Sequence, residues 1–172
     1  MDQNYLEIWK AFRSYEEHEN ALINHRTSWF ITMQSVLIAT FGFSIQKYFE
    51  VMAKLSEITD PKSTLERMSN INSKYQTYLF ILCIIGTAVA FWAHKGIGTA
   101  ITAQVKMREL FTQSHKAKAD EYKLPDISGG GDIDARNQGG TFAMSLPIAA
   151  GAFWILVAMG TLLSISGVSM KI

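Results

Sequence analysis

Long uncharged runs alternate with charged runs along this chain. Three segments, 27–46, 77–93 and 141–170, contain no Asp, Glu, Lys or Arg. A helix needs roughly 20 apolar residues to cross about 30 Å of hydrocarbon, and a run of about 17 is the lower limit. The pattern therefore predicts three transmembrane helices in an all-α membrane protein. The alternative, buried helices of a soluble domain, would need more surrounding chain than 172 residues supply.

The runs between the spans also show helical periodicity. Apolar residues recur at steps of three and four from Tyr5 to Ile23, and again from Ile97 to Val105. The helix after the second span is predicted to continue to about Ala119, and Pro147 is predicted to occupy the first turn of the third span. The chain divides into an amphipathic cytoplasmic helix (1–26), a first span (27–48), a helical extramembrane hairpin (49–76), a second span (77–95), a cytoplasmic helical extension (96–123), a flexible glycine-rich linker (124–141) and a third span (142–170).

Basic residues predict the orientation. The stretch before the first span is polar throughout and shows no cleavable signal peptide, so the first span is expected to act as an uncleaved anchor. A cytoplasmic amino terminus would place ten of the 16 Lys and Arg residues in the cytoplasm. Cytoplasmic loops carry the excess of basic residues in membrane proteins. We therefore expect the amino terminus inside and the carboxyl terminus outside.

A stripe of small or weakly polar residues follows one face of the first span. Its steps alternate between four and three residues, which keeps its members on one side of a helix. In lipid, small side chains allow close backbone approach, and hydroxyl groups can bond across helices. The stripe predicts an oligomer seam, or the lining of a pore, and consists of Ser28, Thr32, Ser35, Ala39, Gly42 and Gln46. The residues predicted to face lipid are Phe30, Val36, Leu37, Phe41 and Phe43.

Small residues also mark the other two spans. Their simplest interpretation is helix packing within one subunit, with a role in lining a pore as the alternative. The second span carries Gly86, Ala90 and Ala93, and the third carries Gly160, Ser164 and Gly167.

The types of residue and motif that the sequence lacks limit the classes of function that it can have. Ion-coupled transporters place charged residues at membrane depth, and none is present in the three uncharged runs. The glycine cluster 128–132 lacks the Gly-Lys-Ser/Thr ending of a nucleotide-binding loop. No motif for a nucleophile is present either. We therefore predict a protein that is not an enzyme and needs no cofactor.

Histidines offer the remaining candidate for site chemistry. His18 and His25 are seven residues apart and would share a helix face. A proton or metal site between subunits is one interpretation of this pair. The other is that His25 and Arg26 contact lipid headgroups or the facing helix. No His pair has the spacing and carboxylate partner of a metal site, so no bound metal is predicted.

Composition limits the partners. The chain is 48% hydrophobic and 18% charged, with a mean hydropathy of +0.09, so about half of it is expected outside the lipid. The net charge of +1, without a basic stripe, gives no electrostatic case for a nucleic-acid partner, so none is expected. The single cysteine, Cys83, excludes an intrachain disulfide.

One segment resembles a known family. Residues 16–39 read EEHENALINHRTSWFITMQSVLIA, with Asn-His-Arg-x-Ser-Trp-Phe followed by Gln-Ser within the first span. This start resembles a family of small uncharacterised bacterial multi-span inner-membrane proteins over about residues 16–42, with weaker likeness from Trp92 onward. The resemblance implies a bacterial inner-membrane location and no established activity. The architecture also resembles membrane effectors of antiphage defence systems, which oligomerise and breach the membrane.

Together these features predict a homo-oligomeric membrane platform. Its partners would be the lipid bilayer, further copies of itself and a cytoplasmic protein docked on its extramembrane helices. The alternative is a membrane-permeabilising effector or channel in antiphage defence. Leucine at Thr32 or Ser35 would leave a platform's docking intact but would plug or abolish a pore.

Overall fold

The fold is all-α. The computed structural model describes residues 2–57, 61–128 and 133–165, with the side chains of 61–63, 133–139 and 164–165 excepted. Within these residues there are four helices and no strand: α1 (Gln3–Ser56), α2 (Pro61–Ser114), α3 (Lys116–Glu121) and α4 (Ile133–Ile165). Three of these helices, α1, α2 and α4, are long and apolar enough to cross a membrane. The predicted all-α class with three candidate spans is confirmed.

Helix α1 runs through the first span without interruption. It contains 54 residues, which corresponds to about 80 Å of helix. Beyond the span it is reinforced by Glu50, whose carboxylate accepts hydrogen bonds from Lys47 at 2.6 Å and Lys54 at 2.9 Å. These bonds hold the pKa of the exposed Glu50 carboxyl at about 2. The i, i+3 and i, i+4 spacings explain how both lysines reach it.

Helix α4 starts earlier than the sequence predicts. It begins at Ile133, inside the predicted linker 124–141, so the linker is shorter than expected. Glycine within a helix costs roughly 0.5–1 kcal/mol relative to alanine, which is why local propensity favours a flexible segment here. Gly140 nevertheless lies against α2, where a methyl group on it would come within 3.8 Å of the Ile101 side chain.

The early start of α4 places Pro147 in the helix interior. The prediction of a first-turn position for this proline is wrong. Proline has no N–H, so it cannot donate to the carbonyl of Ala143 one turn earlier. The neighbouring carbonyl, that of Met144, lies 3.3 Å from His94 Nδ1 of α2. This contact joins α4 to α2 at the point where Pro147 interrupts the backbone hydrogen bonds of α4.

The described residues pack as two units. The first unit comprises those of Met1–Phe30 and Trp92–Pro147, and the second unit comprises those of Ile31–Phe91 and Ile148–Ile172.

The first unit has an aromatic core. Its buried residues are Tyr5, Trp9, Phe111, Ala119 and Ile127. Two of them also anchor the chain that follows α2: the Tyr5 hydroxyl donates to the His115 carbonyl at 2.5 Å, and the Trp9 indole donates to the Pro125 carbonyl at 3.0 Å. The chain turns at His115 between α2 and α3, so the predicted continuous helix to Ala119 is divided.

Ionisation of Tyr5 is expected to weaken the first unit. Burial raises the pKa of its phenol above the ordinary value of 10, against the opposing effect of Lys118. Because the folded-state pKa is raised, the contribution to stability is present below pH 10 and lost as the pH rises through the folded-state pKa. We expect the free energy of unfolding to fall more steeply with alkaline pH in the wild type than in Tyr5→Phe.

Denaturant unfolding on either side of pH 10 measures this slope. Tyr15→Phe, at an exposed tyrosine of the same helix, is the control and should keep the wild-type slope. Identical slopes in all three proteins would contradict the assignment to Tyr5.

Candidate functional site

A buried amide fixes which face of α1 turns inward in the second unit. The Gln34 side chain donates to the Gly86 carbonyl of α2 at 3.2 Å and accepts from the Trp154 indole N–H of α4 at 2.7 Å. Gln34 is 6% exposed and Trp154 is fully buried. Because a buried amide in an apolar surrounding needs partners, this network specifies one arrangement of the α1, α2 and α4 segments within the second unit. Sequence reasoning missed the role of Gln34, although an amide in the middle of an apolar span is the signal for it.

Aromatic residues complete the inward face of α1. In the second unit the Phe41 ring meets the Trp154 ring edge-on, with centroids 5.9 Å apart. In the first unit Phe30 is buried. The prediction that Phe30 faces lipid is therefore wrong, while Phe41 is half-buried and packs one side of its ring on Trp154. Val36 and Phe43 are exposed, in agreement with their predicted positions.

The predicted stripe lies on the outer side of α1. A methyl group built on Gly42 would meet no atom within 4 Å, and the Ser35 hydroxyl donates to the Ile31 carbonyl of its own helix at 2.8 Å. We call the following residues the α1 stripe, all of which are exposed: Ser28 in the first unit, and Thr32, Ser35, Ala39, Gly42 and Gln46 in the second.

The small residues of α2 and α4 occupy two kinds of position. Gly86 lies directly against α4, because a methyl group on it would be 2.5 Å from Cδ2 and Nε1 of Trp154. Ala90 is buried and would be 3.6 Å from a methyl group on Gly151, and Ala93 is buried in the first unit. Gly160 is different, since a methyl group there would meet no atom within 4 Å. The side chain of Ser164 and all of Gly167 lie outside the described residues.

The histidines and Arg26 do not form one cluster. His18 and His25 are exposed on α1. The Arg26 guanidinium donates to the Gly96 carbonyl of α2, so Arg26 binds the facing helix. Among the described residues, no three His, Cys, Asp or Glu side chains lie close enough together to hold a metal ion.

A polar layer crosses the first unit between α1 and α2. Arg108 Nε donates to Glu16 Oε1 at 2.9 Å, and Gln104 donates to Asn20 Oδ1 at 2.8 Å. Glu16 is 2% exposed, although the sequence places it in an acidic run that suggests a solvated surface. Sequence reasoning missed this layer. The signal in the sequence is a matched spacing. Glu16 and Asn20 stand at positions i and i+4 on α1, and Gln104 and Arg108 stand at positions i and i+4 on α2.

The α1 stripe offers a contact surface and brings no ionisable group. Its side chains are hydroxyls, an amide, a methyl group and a hydrogen, which suit close helix contacts and hydrogen bonds within lipid. No protein-family profile, curated protein or solved structure matches the chain. The candidate site therefore rests on the geometry of its own residues.

Proposed function

We propose that this protein is a non-enzymatic, homo-oligomeric platform of the bacterial inner membrane, assembled through the α1 stripe, with its amino terminus in the cytoplasm. A cytoplasmic protein would dock on its extramembrane helices. The exposure of the whole α1 stripe is the observation that carries the proposal. The resemblance of residues 16–42 and the distribution of basic residues support the location and the orientation.

The packing of the second unit supports the use of the stripe as the interface with a partner copy. The opposite face of α1 is occupied, since Gln34 bonds to both other long helices and Phe41 packs on Trp154. Helices associate in lipid through close van der Waals contact and hydrogen bonds, because apolar burial gives little net gain there. An exposed face with Gly42 and Ala39 allows that close approach, whereas the neighbouring Phe43 would hold a second helix away.

The first unit supports the docking role. Ile8 and Tyr15 are both exposed and lie seven residues apart, on one face of α1. Leu110 is exposed on α2. Exposed apolar side chains on an extramembrane helix are suited to pack against the helix of another protein.

A pair of double variants tests the assembly. Thr32→Leu/Ser35→Leu places two bulky side chains on the stripe. The control is Met33→Leu/Val36→Leu. It places each leucine one residue after its counterpart in the stripe variant, about 100° round the helix and at nearly the same membrane depth. We expect the stripe variant to weaken self-association at least about tenfold, equivalent to about 1.4 kcal/mol, because close backbone approach is lost.

The masses of both variants in nanodiscs report the result. The control should keep the wild-type mass, since Met33 and Val36 are exposed away from the stripe. If both variants remained fully assembled, or both dissociated equally, the stripe would not be the interface.

The second candidate function is membrane permeabilisation, and the exposed hydroxyls of the same stripe favour it. If the stripe faced a central opening, Thr32 and Ser35 would give a weakly polar lining with no charge ring and little ion selectivity. Dye leakage from liposomes separates the two functions. If the protein forms a pore, liposomes that contain the wild type leak dye and liposomes that contain Thr32→Leu/Ser35→Leu do not. If the protein is a platform, neither kind of liposome leaks.

A further inference from the structure

The first unit contains a cleft that the proposed function does not use. It encloses about 700 Å³ between α1, α2 and the start of α4. Small-molecule sites typically measure about 300–1,000 Å³ and often lie between the helices of a bundle. A cleft of this size and position can therefore hold a small-molecule ligand.

One wall of the cleft is rich in hydrogen-bond donors. It includes Asn20, Gln104 and Arg108. The Arg108 guanidinium has five N–H groups, of which Nε and one Nη donate to Glu16. Only one N–H of Gln104 donates to Asn20, so both amides retain further donors. Such a wall suits a ligand group with several acceptor oxygens.

The rest of the cleft is apolar. Ile23, Ile101 and Met144 line it, together with Phe142. Thr27 and Thr141 also line it, and they are the first residues of the uncharged runs of the first and third spans. In the proposed topology, the cleft lies where the first and third spans begin. A molecule that partitions into the bilayer can enter it there.

The charges near the cleft limit the ligand's own charge. Arg108 is paired with the buried Glu16, whose second oxygen accepts no hydrogen bond from the described residues. The ion pair has no net charge, so the remaining guanidinium N–H groups can bind one oxyanion, whereas a second negative charge would meet no further cation among the described residues of the lining and would be repelled by Glu16. The lining therefore limits the ligand to at most one negative charge.

We propose that the cleft binds a monoanionic single-chain lipid, with its oxyanion head against Asn20, Gln104 and Arg108 and its acyl chain against Ile23, Ile101 and Met144. The head is a carboxylate or a phosphodiester, as in a fatty acid or a lysophospholipid. This site is independent of self-association through the α1 stripe.

The methyl signal of Met144 tests the proposal in nanodiscs of neutral lipid. Protein labelled at its methionine methyl groups is titrated with dodecanoate, with the uncharged methyl ester of dodecanoate and with lysophosphatidylglycerol. Met144→Leu assigns the signal. Met33, exposed on the first span, reports simple partition of each probe into the bilayer.

We expect a saturable shift of Met144 with at least one anionic probe, and about tenfold weaker binding of the methyl ester, because the charge-assisted hydrogen bonds are lost. Tighter binding of dodecanoate would identify the head as the carboxylate of a fatty acid, and tighter binding of lysophosphatidylglycerol would identify it as the phosphodiester of a lysophospholipid. Inorganic phosphate alone should leave Met144 unshifted, since it lacks the chain. Saturation by phosphate alone, or equal binding of the ester, would overturn the proposal.

Two variants locate the binding. Asn24→Asp adds one negative charge at an exposed residue of the cleft and should weaken binding about fivefold, whereas Asn4→Asp, outside the cleft, should not. Gly140→Leu should fill the cleft and abolish the saturable shift. Equal effects of the two Asp variants, or unsaturable shifts that are the same at Met33 and Met144, would show partition alone and overturn the site.

Discussion

Replacing Gly86 with alanine is expected to destabilise the second unit by about 3 kcal/mol, near the upper end for overpacked cores. A methyl group at this position would lie 2.5 Å from Cδ2 and Nε1 of Trp154, far inside van der Waals contact. Trp154 is fully buried, and its indole N–H is held by Gln34, so the ring has little room to move aside. The substitution should therefore separate α2 from α4 and weaken the Gln34 network.

Gly160→Ala is the matched control for this substitution. It makes the same chemical change on another candidate span, at a position with no atom within 4 Å of the added methyl group. Alanine is intrinsically better than glycine in a helix by up to about 1 kcal/mol, so the control should be neutral or slightly stabilising. Unfolding in mixed detergent, followed by loss of helical circular dichroism, measures both variants. Equal stabilities would show that Gly86 does not set the contact between α2 and α4.

Removing Arg108 is expected to have the largest effect in the first unit. Arg108→Leu leaves the Glu16 carboxylate buried and without its cation, a change that typically costs about 3–5 kcal/mol. We expect about 3 kcal/mol, at the lower end, because the Arg108 side chain is itself 27% exposed and partly screened by solvent. Hydrogen exchange of the α1 and α2 amides in the first unit should accelerate accordingly.

The double variant Glu16→Leu/Arg108→Leu separates charge burial from simple loss of packing. With both charges absent there is no uncompensated carboxylate, so much of the lost stability should return. Lys10→Leu, at an exposed residue of α1, controls for the removal of a single cation and should change stability little. If the double variant were no more stable than Arg108→Leu, the ion pair would not be the cause.

The spans and the all-α class could be predicted because hydropathy reports them directly. Uncharged runs of sufficient length admit few other structures in lipid, where every backbone group must find a partner within the segment. The position of the α4 start could not be predicted in the same way. Glycine lowers local helix propensity near Gly140, but the contact of this segment with Ile101 is tertiary and has no local signal.

Which face of α1 turns inward was harder to predict. Lipid and protein interior are both apolar, so hydropathy does not distinguish Phe41, which packs on Trp154, from Phe43, which is exposed. A polar side chain does carry the distinction, because an amide in an apolar span needs partners. Gln34, in the middle of the span, would have identified the inner face, whereas Gln46, at the end of the uncharged run, is exposed on the α1 stripe.

The Glu16 and Arg108 pair illustrates a different limit of prediction from the sequence. Charged residues in an amphipathic helix are usually solvated, and the acidic run around Glu16 gives no local reason to single it out. The pairing depends on α2 lying beside α1 in the first unit, 92 residues apart in sequence. Only the matched spacing of Glu16 with Asn20, and of Gln104 with Arg108, hints at this layer before the fold is known.

The mass of the wild-type protein in nanodiscs, measured over a range of protein-to-disc ratios, tests the central claim most directly. We expect a closed oligomer of two or more subunits that persists when discs are in excess, because the exposed α1 stripe would be covered by a neighbouring copy. A monomer at every ratio would contradict the account, since the stripe would then face lipid and the platform would have no assembly.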